Sequence, residues 1–301
     1  MLKNSQKIKT IENPLSLLQS KDVLEVLKKH WTFNHENLID PEKFVEDFFA
    51  EIATLTSNRE INKLYQKKLK AYRNPNLDLQ KPRDMFLEII KQELLGVETV
   101  LDFGCGKLAF LKNIAEKNNN IRKLIGVDSR SQPDLEDLDG RIIFFRNLEE
   151  VENSSVDLVV VKLVLHHLDD EQTVQDIFSD LKRVLHPSGK LIVFEESFPD
   201  AICDLTEVRK NLSEFKLELS EATADFLQLT REDRIKFLFL NDWLMNLQNT
   251  YMPWTLQYKS MEEWRDLIES VGFREKEARF LGAIKHRKRK QGMTAELIFS
   301  R

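Results

Sequence analysis

The sequence predicts an α/β fold built on a parallel sheet, and three observations carry that prediction. Val100-Leu101-Asp102-Phe103-Gly104-Cys105-Gly106 runs into the apolar-periodic positions Leu108, Phe110, Leu111, Ile114 and Ala115. That reads as a buried strand, a glycine turn and an amphipathic helix. From residue 97 to about 194, short apolar runs alternate with helical patterns, the signature of parallel strands joined by crossover helices. Residues 1–95 contain no glycine and read as helical, so a helical region precedes the sheet.

In chain order, Asp40-Pro41-Glu42 starts a helix, with Asp as cap and Pro in the first turn. Phe44, Val45, Phe48, Phe49, Ile52 and Leu55 then share one face. A second apolar face runs through Leu17, Leu18, Val23, Leu24, Val26 and Leu27. Asn74-Pro75-Asn76 breaks the pattern, and Lys81-Pro82-Arg83 opens a helix carrying Met85, Phe86, Ile89, Ile90 and Leu94. The first strand is expected over 97–103, the second over 123–127 ending in Asp128, and the third over 141–145 ending near Asn147. The fourth, 156–161, leads into Lys162-Leu163-Val164-Leu165-His166-His167-Leu168. A helix through Val174, Phe178, Leu181 and Val184 reaches His186-Pro187-Ser188-Gly189-Lys190, read as a turn. The fifth strand, 191–194, opens into Glu195-Glu196-Ser197. Residues 198–260 interrupt the alternation with helical sequence. The helix of Met261, Trp264, Leu267, Ile268 and Val271 ends at Gly272, and 273–284 with 294–300 suggest a closing hairpin.

With 301 residues, 42% apolar and 32% charged, the chain has the make-up of an ordinary soluble protein with a sizeable core. A net charge of −5 calls for neither nucleic acid nor an anionic membrane. Residues 1–10 are polar and lysine-rich, without the apolar centre of a secretory signal. No run approaches the roughly 18 apolar residues of a membrane span. Cys105 and Cys203 give no disulfide framework and too few ligands for a structural zinc site. A reducing cytoplasm is the expected compartment.

The glycine turn selects its ligand. Gly104 and Gly106 let the backbone turn sharply and approach a ligand closely, beside the positive end of the helix that follows. Two features argue against a dinucleotide. Asp102 precedes the glycines, and the third glycine of G-x-G-x-x-G is missing, with Leu108 and Ala109 there instead. A ligand bearing an ammonium and a sulfonium suits a carboxylate in that place better than a pyrophosphate does.

These residues resemble motif I of the class I S-adenosylmethionine-dependent methyltransferases, an acid followed by G-x-G-x-G, with Leu108 in place of the third glycine. The succession of strands is similar to that family too, in particular to its ubiquinone-biosynthesis-like small-molecule branch. The resemblance implies a Rossmann-like, doubly wound, mostly parallel seven-stranded sheet. It implies a helical region over 1–95 and a methyltransferase domain over 96–301. A helical lid is then inserted at 198–260, after strand five. The implied cofactor is S-adenosyl-L-methionine.

The candidate site residues follow. Asp128 lies 24 residues past Gly104, where dinucleotide folds keep an acid for ribose hydroxyls, and the resemblance implies the same role. Asn147 falls where the family places a group near the adenine amine; a turn-forming Asn reads equally well. Lys162 and Leu163 fall where the family's backbone passes the methionine part of the cofactor. In Leu165-His166-His167-Leu168 the resemblance places the first histidine at the reaction centre, where it can take a proton as the methyl arrives. The plain alternative has one histidine capping backbone and the other in solvent. Glu195, at the end of the neighbouring strand, is the expected partner of His166, with Glu196 on the other face. Cys105 is read as a small turn residue or a helix-start thiolate, and Cys203 is assigned no role. The run 285–290 is read as a solvated hairpin loop or a phosphate contact.

The phenylalanine stripe reads as core. Alternatively, together with Trp243, Tyr251, Trp254 and Tyr258, it encloses an apolar acceptor site. The expected function is methyl transfer to a small molecule, onto O, N or C. One rival is an RNA or protein methyltransferase, argued by the basic run and the helical N-terminal region. Against it, no Asn-Pro-Pro-Phe/Tyr follows strand four. Another rival is an inactive binding module, argued by the lost third glycine and opposed by Asp102, Gly104, Gly106 and Asp128.

Overall fold

The computed structural model describes residues 14–75, 84–130, 133, 139–201, 203–248, 257–286 and 289–301. Helices α1 (Lys21–Asn34), α2 (Pro41–Ile52), α3 (Asn58–Ala71) and α4 (Met85–Ile89) precede strand β1 (Thr99–Phe103). Then come α5 (Ala109–Lys117), β2 (Lys123–Val127), β3 (Ile142–Phe145), β4 (Val156–Lys162), α6 (Glu171–Val184) and β5 (Leu185–Glu196). The chain continues through α7 (Leu205–Glu214), β6 (Glu218–Leu219), α8 (Ala222–Gln228), α9 (Arg231–Met245) and α10 (Met261–Ser270). It closes with β7 (Arg274–His286) and β8 (Arg289–Ser300). Two compact units emerge: residues 83–201, 259–281 and 294–301 form one, and residues 1–82, 202–258 and 282–293 the other.

The first unit holds the sheet, in the order β3-β2-β1-β4-β5-β8-β7. Strands β1 to β5 run parallel, and β8 returns antiparallel against β5. The chain winds outward from β1 through β2 to β3, then restarts at β4 and winds the other way. This is a doubly wound α/β fold, and its switch point lies between β1 and β4. Ligands of such sheets bind outside the carboxyl ends of the strands at that point. Val100, Leu101, Leu124, Ile125 and Leu158 to Val161 are buried, as continuous apolar strands covered on both faces must be.

Polar side chains pin the ends of these elements. Asp157 accepts the backbone N–H groups of Glu98 and Thr99 and sets where β1 begins. The Arg141 guanidinium donates to the carbonyls of Ala115, Asn118 and Ile121, closing the end of α5. Lys182 donates to the carbonyls of Val271 and Gly272 just past α10, where Gly272 takes a left-handed φ of 87°.

Three expectations need correction. Residues 186–190 are not a simple turn, because β5 begins at Leu185 and carries them within an irregular stretch of its pairing with β4. His186 and Ser188 hydrogen-bond each other there. The sheet also gains a strand: the two-residue β6 pairs antiparallel with β7 at its edge, through Glu218–Lys285 and Leu219–Ile284. The basic run is not all loop, since Lys285 and His286 lie in β7 and Arg289 and Lys290 in β8, while residues 287–288 lie outside the described residues. Lys285 bridges Glu36 at 2.8 Å and Glu218 at 2.9 Å and lies over the Phe33 ring.

The second unit has an aromatic core. Trp31 stacks on Phe48 with ring centroids 5.2 Å apart and meets Phe49 and Tyr65 edge-on. His35 joins this core, bonding the Trp31 carbonyl and the Tyr65 hydroxyl. The stripe of α2 is therefore core packing, worth roughly 1 kcal/mol per aromatic pair beyond area burial. Helix α9 is buried on every side from Phe237 to Leu244, and its Asp242 accepts from Tyr258 and Asn246. Tyr251 and Trp254 lie outside the described residues.

Candidate active site

The site is built from the carboxyl ends of β1, β2, β4 and β5. At the end of β1, the N–H groups of Gly104 and Cys105 both donate to the Val127 carbonyl at the end of β2. That double tether draws the turn across the sheet edge. Gly104 has φ of 73° and Gly106 of 52°, which favour glycine. A Cβ at Gly104 would lie 2.7 Å from Val164 Cγ2, so the turn that follows β4 packs directly on the glycine turn. A Cβ at Gly106 would meet nothing within 4 Å; its face is open toward the sheet edge.

Leu108, in the third-glycine position, caps α5 in a left-handed conformation with φ of 63°. Its side chain is buried where Gly126 has none, so Gly126 makes the room that a third glycine would otherwise supply. The lost glycine is thus compensated one strand away.

Asp128 organises the same turn. Its Oδ2 accepts the Gly106 N–H at 3.0 Å, and its Oδ1 accepts the Arg130 N–H at 2.9 Å. Asp102 is 1% exposed, and neither of its carboxyl oxygens has a hydrogen-bond partner among the described residues. Burial raises its pKa to about 6, with Lys162 pulling it down and Asp84 and Asp128 pushing it up. Burial also pushes the Cys105 thiol upward, and the Asp102 and Asp128 charges add to this, so Cys105 is a turn-filling residue and not a thiolate. Asn147 is exposed and begins the short 3-10 turn Leu148–Glu150, its backbone N–H donating to Glu150 at 3.2 Å.

Lys162 ends β4 beside Phe194 of β5, with its ammonium 4.3 Å from the centroid of Phe110. The chain then bends sharply. Leu163 takes a left-handed φ of 54° and donates its N–H to the Phe194 carbonyl at 2.8 Å. Residues Leu165–His167 form a 3-10 turn. His166 is buried and hydrogen-bonds Glu195 through Nδ1. The other Glu195 oxygen accepts the Leu165 N–H at 2.8 Å, and Oε1 also accepts the Glu196 N–H at 2.7 Å. A carboxylate held by two backbone groups fixes the ring and makes Nδ1 the donor. Nε2 is then the basic nitrogen of the neutral imidazole.

The structure therefore brings Asp102, Gly104, Gly106, Asp128 and Lys162 to one edge, and joins His166 to Glu195. Sequence reasoning missed Val164, Phe86 and Phe110. Only the helical spacing of Phe110 marked it, and that marked it as core.

The residues fit the implied cofactor: a buried carboxyl without a partner suits a cation, and the open face of Gly106 suits close approach. A doubly wound sheet with an acid-first glycine turn at its switch point is an arrangement that class I S-adenosylmethionine-dependent methyltransferases share. Residues 101–193 match a family model described as a methyltransferase domain, consistent with an S-adenosylmethionine-dependent methyltransferase. No curated protein matches the chain. Among solved structures, it is similar to a candidate O-methyltransferase from Nostoc punctiforme PCC 73102, at 16% identity, covering 96% of this chain and 72% of that one, TM-score 0.46. It is similar to a SAM-dependent methyltransferase from Methanosarcina mazei at 18% identity, covering 71% and 96%, TM-score 0.44. An S-adenosylmethionine-dependent methyltransferase from Mesorhizobium loti is 15% identical, covering 72% and 98%, TM-score 0.45.

Proposed function

We propose that this enzyme methylates a small-molecule acceptor, with His166 as general base and Glu195 as the residue that orients it. The observation that carries this reading is the buried His166–Glu195 bond, on a turn that packs against Gly104. When bound, the cofactor supplies an electrophilic methyl on a sulfonium. The protein's own residues then align the acceptor and receive its proton at His166 Nε2. Glu195 stabilises the imidazolium that results. Of the basic run, Lys285 is already held by Glu36 and Glu218, which weakens the polymer reading. Methyl-labelled S-adenosylmethionine offered with hydroxylated and aminated aromatics, transfer RNA and total protein tests this. Label in the small-molecule fraction supports it; label only in polymer overturns it.

Asp102, Gly104, Gly106, Asp128, Asn147 and Lys162 are proposed to hold the cofactor, within a methyltransferase domain over 96–301 that carries the insert 198–260. Residues 1–95 form the accompanying helical region. Among the described residues no helix is long and apolar enough to cross a membrane, and two free cysteines suit a cytoplasmic setting.

Two expected results follow for this pocket. Asp128→Ala removes an acceptor for ribose hydroxyls and releases the Gly106 N–H, so S-adenosylhomocysteine binding weakens by about 2 kcal/mol. Calorimetric titration reads this directly, and unchanged affinity removes Asp128 from the site. For Asp102, the folded value of about 6 exceeds the ordinary 3.8, so the folded chain holds the proton more tightly than the unfolded one. The cost of the buried charge, roughly 3 kcal/mol, is fully present above the folded value and fades as pH falls toward the unfolded one. Asp102→Asn should therefore raise the melting temperature of the ligand-free protein at neutral pH while weakening ligand binding. Wild-type affinity should fall below about pH 6, and the variant's should stay flat. A variant that loses stability at neutral pH contradicts this account.

A further inference from the structure

Helix α3 carries a row of cations along its exposed face. Arg59, Lys63, Lys67 and Lys70 fall within an arc of about 80° on a helix of 3.6 residues per turn, and all four are exposed. Arg73, just past the helix, is exposed as well. Among the described residues none of these five side chains has an ion pair or a hydrogen bond. Lys68 gives the contrast: on the opposite face of the helix, it is held by Glu51 at 2.6 Å and Asp47 at 3.6 Å. The row opposes the preferences of the helix itself. Arg59 with Lys63, and Lys63 with Lys67, are like charges at i, i+4, which weaken a helix. Arg59 also stands in the first turn, where the dipole disfavours a cation. A surface that serves solubility alone mixes both signs. Here residues 58–73 hold six basic residues and one acidic one, in a chain of net charge −5.

We propose that this row docks the protein on the phosphodiester backbone of a nucleic acid. The surface is a docking face, and its role does not depend on which acceptor is methylated. From Arg59 to Lys70 the row spans about 16 Å at 1.5 Å per residue. One strand of a duplex presents a phosphate about every 3.4 Å of its axis, so the row meets a line of anions of comparable charge density. Two other anionic partners fit less well. A protein interface has an apolar, aromatic centre, whereas the exposed large apolar side chains Ile39, Leu95, Ile143 and Met245 all lie off α3. A helix that binds a membrane surface buries an apolar face in lipid. That face of α3 is already occupied, with Ile61 and Leu64 buried and Tyr65 edge-on to Trp31. Contacts to phosphates position a nucleic acid without reading its bases.

Fluorescence anisotropy of the full chain with a labelled DNA duplex tests this. Wild type should bind two duplexes of unrelated sequence alike. The logarithm of its affinity should fall with the logarithm of salt concentration at a slope of about −4, as four or five phosphate contacts require. Lys63→Gln, Lys67→Gln and Lys70→Gln combined should flatten that slope by about 3 and lower affinity at least about tenfold at low salt. The melting temperature should not fall, because all three side chains are exposed. Lys91→Gln, Lys210→Gln and Lys276→Gln combined remove the same charge from exposed positions elsewhere and should change little. Equal losses in the two triple variants would mean that net charge alone is felt and would overturn the proposal. So would a wild type that binds no duplex, or one that prefers phosphatidylserine vesicles or polyglutamate to it.

Discussion

Replacing His166 with alanine should lower turnover by about 10²–10⁴-fold, the usual contribution of a positioned general base, while S-adenosylhomocysteine binds nearly as in wild type. The expectation rests on two geometric facts. Glu195 receives both the ring Nδ1 and the Leu165 N–H, so the imidazole is held in one tautomer on a fixed turn. The ring is also buried, so bulk water is a poor substitute for it. Glu195→Gln should fall between wild type and His166→Ala. An amide can still accept one of these bonds, but it lacks the charge that stabilises the imidazolium. His167→Ala should matter less, because only its neighbour bonds Glu195 among the described residues. Steady-state rates with the acceptor identified by methyl labelling decide the matter. Near-normal turnover in His166→Ala would show that the acceptor arrives deprotonated and that alignment alone drives the transfer.

The part of this site legible in the sequence is the part governed by local pattern. Asp102, Gly104 and Gly106 sit at the end of a strand that is apolar on both faces, and such strands announce themselves as short unbroken runs. The meeting of His166 with Glu195 was legible because His166 follows one strand and Glu195 lies near the end of another, and those strands are neighbours once the sheet order is assumed. What remained hidden depends on packing between segments distant in sequence. Nothing in the sequence shows that Val164 fills the space above Gly104, or that Gly126 yields its side-chain volume to Leu108. The left-handed Leu163 was equally hidden, since leucine carries no signal for that conformation. The early start of β5 was masked by Pro187-Ser188-Gly189, which has turn composition whether or not the strand continues. A two-residue strand such as β6 is set by its partner and leaves no pattern of its own.

Gly104→Val should be the most damaging single change in the cofactor turn, and its damage separates into two parts. The first is backbone strain. At φ of 73° a Cβ-bearing residue costs roughly 1–2 kcal/mol, and a β-branched one sits at the upper end. The second is overpacking, because the new Cβ falls 2.7 Å from Val164 Cγ2 and 2.9 Å from Val164 Cβ. Relief requires the turn carrying His166 to shift, at about 1–3 kcal/mol. Since Gly104 and Cys105 both donate to the Val127 carbonyl, the strain spreads to the end of β2 and so to Asp128. S-adenosylhomocysteine affinity should fall by more than tenfold and the melting temperature should drop. A smaller pair of variants separates the two causes. Gly104→Ala keeps the strain and part of the clash, and adding Val164→Gly removes the clash alone. Residues in contact couple in this way, so the double variant should be more stable than the sum of the two single changes. Simple additivity would mean that Val164 does not bear on Gly104, and with it would fall the claim that the glycine turn sets the position of His166.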